Sequence, residues 1–166
     1  MSTAQAQQRV LARVQASPGR RVIGVGAVGS LGVLMLFVAL TRPPADVAWQ
    51  VFLLVAGAGS LWMADTMRRA TALSIDLTQE GLRCSDGEVI APLDQIEKVD
   101  RGMFTFKPSN GFLLKLNVAG TARWRPGLWW RLGSRVGVGG VTPASQSKAM
   151  SEMIMVLKAD QDGSVG

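Results

Sequence analysis

Histidine and tyrosine are absent from this 166-residue chain, and cysteine occurs once, as Cys84. Without histidine, the chain lacks the commonest general base and the commonest metal ligand. One cysteine excludes an intramolecular disulfide and fits a reducing compartment. Acids are missing from long stretches. Residues 1–21 carry Arg9, Arg13, Arg20 and Arg21 and no acid, and residues 111–148 carry six bases and no acid. Eight of the acids lie in residues 65–110, against six bases. The net charge of +6 suits an anionic surface, either nucleic acid or membrane. Long uncharged runs give the membrane precedence.

Val22–Leu40 reads VIGVGAVGSLGVLMLFVAL, and Val47–Ala64 reads VAWQVFLLVAGAGSLWMA. At 1.5 Å per residue the first spans about 28 Å, close to the hydrocarbon thickness of a bilayer. The connection, Thr41–Asp46, contains Pro43 and Pro44, which end one helix and turn the chain into the next. So short a loop implies an antiparallel transmembrane hairpin with spans at 22–40 and 47–64. Four arginines precede it, Arg68 and Arg69 follow it, and the loop carries only Arg42, offset by Asp46. The distribution of bases predicts a loop outside and both termini in the cytoplasm. Trp49 and Trp62, near opposite ends of the second run, suit the two interfaces. Gly26 with Ser30, and Ala56 with Ser60, are small-xxx-small pairs that would let the helices pack closely, although small residues are common in membrane helices anyway.

Other readings of the same residues fare worse. Gly24-Val25-Gly26-Ala27-Val28-Gly29 matches GxGxxG, and Asp46 follows at the spacing of a dinucleotide fingerprint. Only Val22 and Ile23 are available for the preceding strand, and no polar helix face follows. Arg20-Arg21 before an apolar run has the look of a twin-arginine signal, but no small-residue cleavage site stands near Leu40 and a second run follows at once. A buried soluble helical hairpin fits poorly with two uncharged runs in so small a chain. In residues 2–17, Val10, Leu11 and Val14 make a short stripe. It suggests either an amphipathic helix on the inner membrane surface or a solvated tail.

After the second run the period changes. The second helix is expected to run on from Asp65 to about Thr71. Leu73, Ile75 and Leu77 alternate with polar residues as in a strand. Gln79-Glu80-Gly81 reads as a turn, Leu82–Ser85 and Glu88–Ala91 as a hairpin around Asp86-Gly87, and Pro92–Gln95 as a corner. Ile96–Phe106 reads as a strand bent at Arg101-Gly102. Asn110-Gly111 is the clearest turn, and a half-buried strand follows from Phe112 to Val118. A turn is expected at Gly120, with final strands at Ala122–Arg125 and Arg135–Gly139. Thr142 can cap a helix with Pro143 in its first position, and Met150, Met153, Ile154 and Leu157 form its apolar stripe. Residues 160–166 read as a disordered tail.

This pattern predicts an α+β domain over residues 65–160, with about seven short antiparallel strands and a C-terminal amphipathic helix. The stretch LTQEGLRCSDGEVIAPLDQIEKVD, Leu77–Asp100, resembles the first hairpin of bacterial pleckstrin-homology-like domains. In those domains a final helix covers one open end of a partly open β-barrel. The resemblance covers residues 72–160. It implies a small bacterial inner-membrane protein whose two spans precede such a domain. Residues 123–135 depart from the pattern in length and in Trp and Gly content.

Four arginines and three tryptophans lie in Arg123–Arg135, and Arg123, Trp124, Arg125, Trp129, Trp130, Arg131 and Arg135 are the candidate binding residues. Arginine pairs with phosphate and tryptophan favours the headgroup zone, so anionic lipid is one ligand. The same mixture suits a protein hot spot. It is also consistent with tryptophans filling the core while the arginines are solvated. Single-stranded nucleic acid would fit aromatics and arginine, but a tethered domain with eight acids in its first half speaks against it. Asp94, Glu97 and Asp100 could hold a hard cation or simply be solvated. Cys84 reads as a buried thiol, and Ser134 and Ser145 have no histidine partner. No catalytic set, metal, cofactor or small-molecule substrate is implied. The functional expectation is a non-enzymatic scaffold or accessory subunit for a membrane-protein partner or a second copy of itself. The alternative is an anionic-phospholipid module acting through residues 123–135, and an enzyme of unknown type comes third.

Overall fold

The computed structural model describes residues 9–100 and 110–163. The chain begins with a short strand, β1 (Ala12–Gln15), and then enters two 24-residue helices, α1 (Pro18–Thr41) and α2 (Val47–Ala70). Strands β2 (Ser74–Thr78), β3 (Gly81–Cys84), β4 (Val89–Pro92) and β5 (Ile96–Asp100) follow, with one 3-10 turn at Leu93–Gln95. Two long strands, β6 (Phe112–Arg125) and β7 (Trp129–Val138), lead to the last helix, α3 (Ala144–Gly163).

Both α1 and α2 are long and apolar enough to cross a membrane, with mean hydropathy of 2.4 and 1.6 over their most apolar windows. Each window is only 11% buried, so these are not core helices of the sheet domain. Val22, Ile23, Leu40, Val47 and Val55 are all at least two-thirds exposed. Gly24, Gly26 and Gly29 lie inside the continuous helix α1, where no strand–turn–helix phosphate loop can form. Asp46 caps α2 instead, its Oδ1 accepting from Ala48 N at 2.8 Å.

The seam between α1 and α2 runs through Gly32 and Gly57. A Cβ on Gly32 would stand 2.9 Å from the Gly57 carbonyl oxygen, and one on Gly57 would stand 2.8 Å from Leu36 Cγ. Ala39 and Ala64 are buried along the same line. Gly26 and Ser30 are exposed instead, and nothing lies within 4 Å of a Cβ placed on Gly26. At about 100° per residue, Ser30 sits some 200° around the helix from Gly32. Ala56 and Ser60, half-buried, flank the seam one residue away from Gly57 and Leu61.

Residues 12–15 correct the expectation of a surface helix or tail over 2–17. They form a strand, with Val14 fully buried, and β1 pairs antiparallel with β2 in the register Val14↔Ile75. Residues 1–8 lie outside the described set. The two apolar helices therefore occupy the connection between the first two strands of a sheet. That sheet has the order β1-β2-β3-β4, and a second has the order β5-β6-β7. Among the described residues all pairings are antiparallel, and the sheets are not closed into a barrel. Ile75, Leu77, Leu82 and Ile90 from the first sheet meet Phe112, Leu114, Trp129 and Val136 from the second in one core.

The turns follow residue chemistry. Gly81 has φ +136, and a Cβ there would lie 2.3 Å from the Ala91 carbonyl oxygen, so only glycine fits. At the β3–β4 turn, Asp86 Oδ1 accepts from Glu88 N and Gly87 adopts φ +90. Gly120 makes no turn, contrary to expectation. It lies within β6, opposite Gly133, and the hairpin turn is Pro126-Gly127-Leu128. The expected separate strands at 122–125 and 135–139 are parts of one long ribbon. The predicted strand 96–106 is seen as Ile96–Asp100; its bend at Arg101-Gly102 and its end lie outside the described residues.

Helix α3 starts at Ala144 and continues to Gly163, past the expected start of a disordered tail at Asp160. Thr142 bonds the Ser147 hydroxyl at 3.2 Å rather than capping a backbone N–H. Met150 and Ile154 are buried in the core, Leu157 packs on it, and Met153 is 37% exposed. The stripe is thus narrower than the sequence period suggested.

Candidate functional site

The β6–β7 ribbon gathers all seven candidate residues of the Arg/Trp segment but divides them between two faces. Neighbours in a strand point to opposite sides, and the register pairs Arg123 with Arg131, Trp124 with Trp130 and Arg125 with Trp129. One face therefore carries Arg123, Arg125, Trp129 and Arg131, and the other carries Trp124 and Trp130.

The arginine face is turned toward the β3–β4 hairpin. Arg125 donates to Asp86 Oδ2 at 3.0 Å and to Glu88 Oε2 at 3.1 Å. Those carboxylates, Glu88 foremost, raise its pKa above the ordinary guanidinium value. Arg123 Nε stands 3.6 Å from Glu88 Oε1. Arg131 lies flat across Gly120, where a Cβ would meet its guanidinium at 2.2 Å, and it donates to the Ile90 carbonyl at 3.4 Å. Arg123 and Arg131 are like charges directly opposite one another, an unfavourable pair. Glu88 on one side and backbone carbonyls on the other offset it. Trp129 is 2% exposed and fills the core, with no hydrogen-bond partner for its indole N–H among the described residues. Arg135 is exposed opposite Lys115 and makes no ion pair among the described residues.

The other face is apolar. Ala122, Trp124, Trp130 and Leu132, with Arg123 and Arg131 at its edge, border a shallow depression, with Trp124 58% and Leu132 67% exposed. Trp130 is held in place because Gly137 has no side chain: a Cβ there would fall 2.4 Å from the indole ring. The Gly139 N–H donates to Leu128 O, and the Val141 N–H donates to Gly127 O, so the ribbon doubles back on itself. Replacing Gly137 with alanine should displace the Trp130 ring and cost about 1–3 kcal/mol of stability, read as a lower thermal midpoint. An unchanged midpoint would show that the indole is free to move.

The turn of this ribbon is seated on the helix pair. A Cβ on Gly127, which has φ +82, would meet Thr71 Cγ2 at 3.0 Å and Met67 Cε at 3.2 Å. Arg20 donates to Thr142 O at 3.1 Å, and Ser17 N to Val141 O at 2.8 Å. Trp124 shares a cleft with Trp62, Asp65 and Arg69 of α2. The sheet domain is thus fastened to the end of the helix pair at several points.

Glu97 accepts from Lys115 Nζ at 2.8 Å, and no three metal-ligating side chains gather among the described residues. Cys84 is 3% exposed, and burial pushes its thiol pKa up, which keeps it protonated. Sequence reading missed Asp86 and Glu88 as partners of the arginines. The only signal available was two acids flanking a tight turn, with nothing to say which strand faces it. No family model matches the chain, and neither a curated protein nor a solved structure matches it.

Proposed function

We propose that this chain is a non-enzymatic, membrane-anchored interaction subunit. In this reading α1 and α2 cross a bilayer, and a pleckstrin-homology-like sheet domain offers the Trp124–Trp130–Leu132 face to a membrane-protein partner or a second copy. Length, hydropathy and exposure of α1 and α2 support the anchor. The pairing of β1 with β2 supports a hairpin whose two flanks lie on one side. The arginines at that end, with only Arg42 in the loop, favour the cytoplasmic side of a bacterial inner membrane. The seven strands among the described residues, in meander order and followed by a C-terminal helix, support a pleckstrin-homology-like fold.

The observation that carries the reading is the contrast between the two ribbon faces. Arg125 and Arg131 of one are engaged by Asp86, Glu88 and a backbone carbonyl, with Arg123 beside Glu88, while the other exposes aromatic and aliphatic surface on a fastened support. An anionic-lipid module acting through Arg123, Arg125 and Arg131 loses support accordingly, and Arg135 is left as a single exposed base. A photo-cross-linking side chain at position 132, in cells, is expected to give a discrete adduct that is lost on Trp124→Ser. The same group at the exposed position 98 should give none. Equal, diffuse labelling at both positions would remove this reading.

A further inference from the structure

The other large basic group lies at the domain end of the helix pair. Arg20, Arg21, Arg68 and Arg69 lie there with one carboxylate, Asp65, which pairs with Arg68 at 2.9 Å and with Arg69 at 2.5 Å and leaves Arg20 and Arg21 without an ion pair among the described residues. This differs from the ribbon, where Asp86 and Glu88 balance Arg123 and Arg125. Arg21 spends one N–H on the Arg68 carbonyl at 3.0 Å, which ties the two arginines together across the helices. Its other donors have no partner among the described residues.

Beside this pair lies a groove lined by Arg21, Val22, Val25, Gly26 and Arg68. Val22 is 71% exposed, and the space over Gly26 is open. The glycine that does not serve the helix seam thus makes a notch about one turn from the arginine level, toward the middle of the apolar run. The groove is cationic at the domain end and apolar further along α1. That is the polarity of a phospholipid in a leaflet.

We propose that an anionic phospholipid seats in this groove, its phosphate held by Arg21 and Arg68 and its upper chain lying over Val22, Val25 and Gly26. Guanidinium–phosphate pairing supplies the headgroup contact, and the open glycine position admits the chain. The inference rests on the reading that α1 and α2 lie in a bilayer. A protein segment would have to match the same cationic-to-apolar gradient, whereas every anionic phospholipid has it.

The test uses the full chain, purified in neutral detergent and freed of lipid. Its thermal midpoint is titrated with dioleoyl phosphatidylglycerol, with dioleoyl phosphatidylcholine of identical tails, and with tail-less glycerophosphoglycerol. Phosphatidylglycerol is expected to act at about 25-fold lower concentration than phosphatidylcholine, and the tail-less compound not at all. Each arginine near a membrane surface contributes on the order of fivefold, so Arg21→Gln with Arg68→Gln should erase the preference. Gly26→Leu should weaken it while leaving the lipid-free midpoint in place, because nothing packs on that position. Equal responses to the two lipids would overturn the proposal, as would a full response to the tail-less compound or an undiminished preference in Gly26→Leu. Extraction of the protein from native membranes by alkaline carbonate would sink the bilayer reading and the groove with it. Retention without lipid preference would sink the groove alone.

Discussion

Replacing Val14 with aspartate is expected to unfold the sheet domain. Val14 is fully buried, and an ionised carboxylate in its place has no cationic partner among the described residues of the core around it. Burying a charge unpaired costs several kcal/mol even after relaxation, against a total stability of about 5–15 kcal/mol for a domain of this size. The milder Val14→Ala should cost about 2 kcal/mol. The strand matters beyond its one core residue. Arg13 forms a two-point ion pair with Asp76, at 2.6 and 2.9 Å, and α3 packs more extensively on β1 than on any other strand. A fragment starting at Ala72 therefore lacks both the edge partner of β2 and the main seat of the C-terminal helix. It should be digested rapidly by protease where the intact chain resists. A stable, protease-resistant fragment 72–163 would show that β1 is dispensable.

Gly32→Leu should have the second large effect, by driving α1 and α2 apart. A Cβ at this position meets a backbone oxygen, Gly57 O, at 2.9 Å, and Leu61 atoms at 3.0 Å. No rotamer change moves a backbone carbonyl, so the helices must separate and the remaining leucine atoms must follow. Overpacking of this kind costs about 1–3 kcal/mol in well-packed interiors, and the loss of close backbone approach adds to it where small residues carry the helix contact. Gly57→Leu meets Leu36 Cγ at 2.8 Å, a side chain that can yield, and a backbone oxygen, Gly32 O, only at 3.1 Å, so it should cost somewhat less. Thermal unfolding in detergent should rank the variants Gly32→Leu below Gly57→Leu, with Gly26→Leu close to the parent. Gly26→Leu as damaging as Gly32→Leu would place the seam elsewhere.

Both predictions fall where reading the chain alone went astray. The segment Ala12–Gln15 is four residues long, too short for its alternation to be told from one turn of a helix. Pairing with Ile75 and Leu77, some sixty residues away, settles it. The small residues of α1 recur at 24, 26, 29, 30 and 32, nearly all around the helix. Small-xxx-small spacing therefore selects no face, and only the rotation imposed by the partner helix does. Within the Arg/Trp segment, alternation could have separated Arg123 and Arg125 from Trp124. The irregular pairing between Lys115 and Arg123 hides where the strand continues, and Gly120 looks like a turn because it gives way to a side chain, Arg131, rather than to a bend.

What the sequence alone determined is what short-range physics controls. Two uncharged runs of membrane length, a proline loop between them, hairpin turns at Gly81 and Asp86-Gly87, and an alternating strand from Phe112 each follow from residues within a few positions of one another. The tertiary structure decided what depends on distant partners. It set β1 beside β2 across the inserted helices, turned Gly32 inward and Gly26 outward, and brought Asp86 and Glu88 to the arginines of β6. Hydrogen-bond partners and countercharges many residues apart leave no periodic trace along a chain, so those assignments wait on the fold.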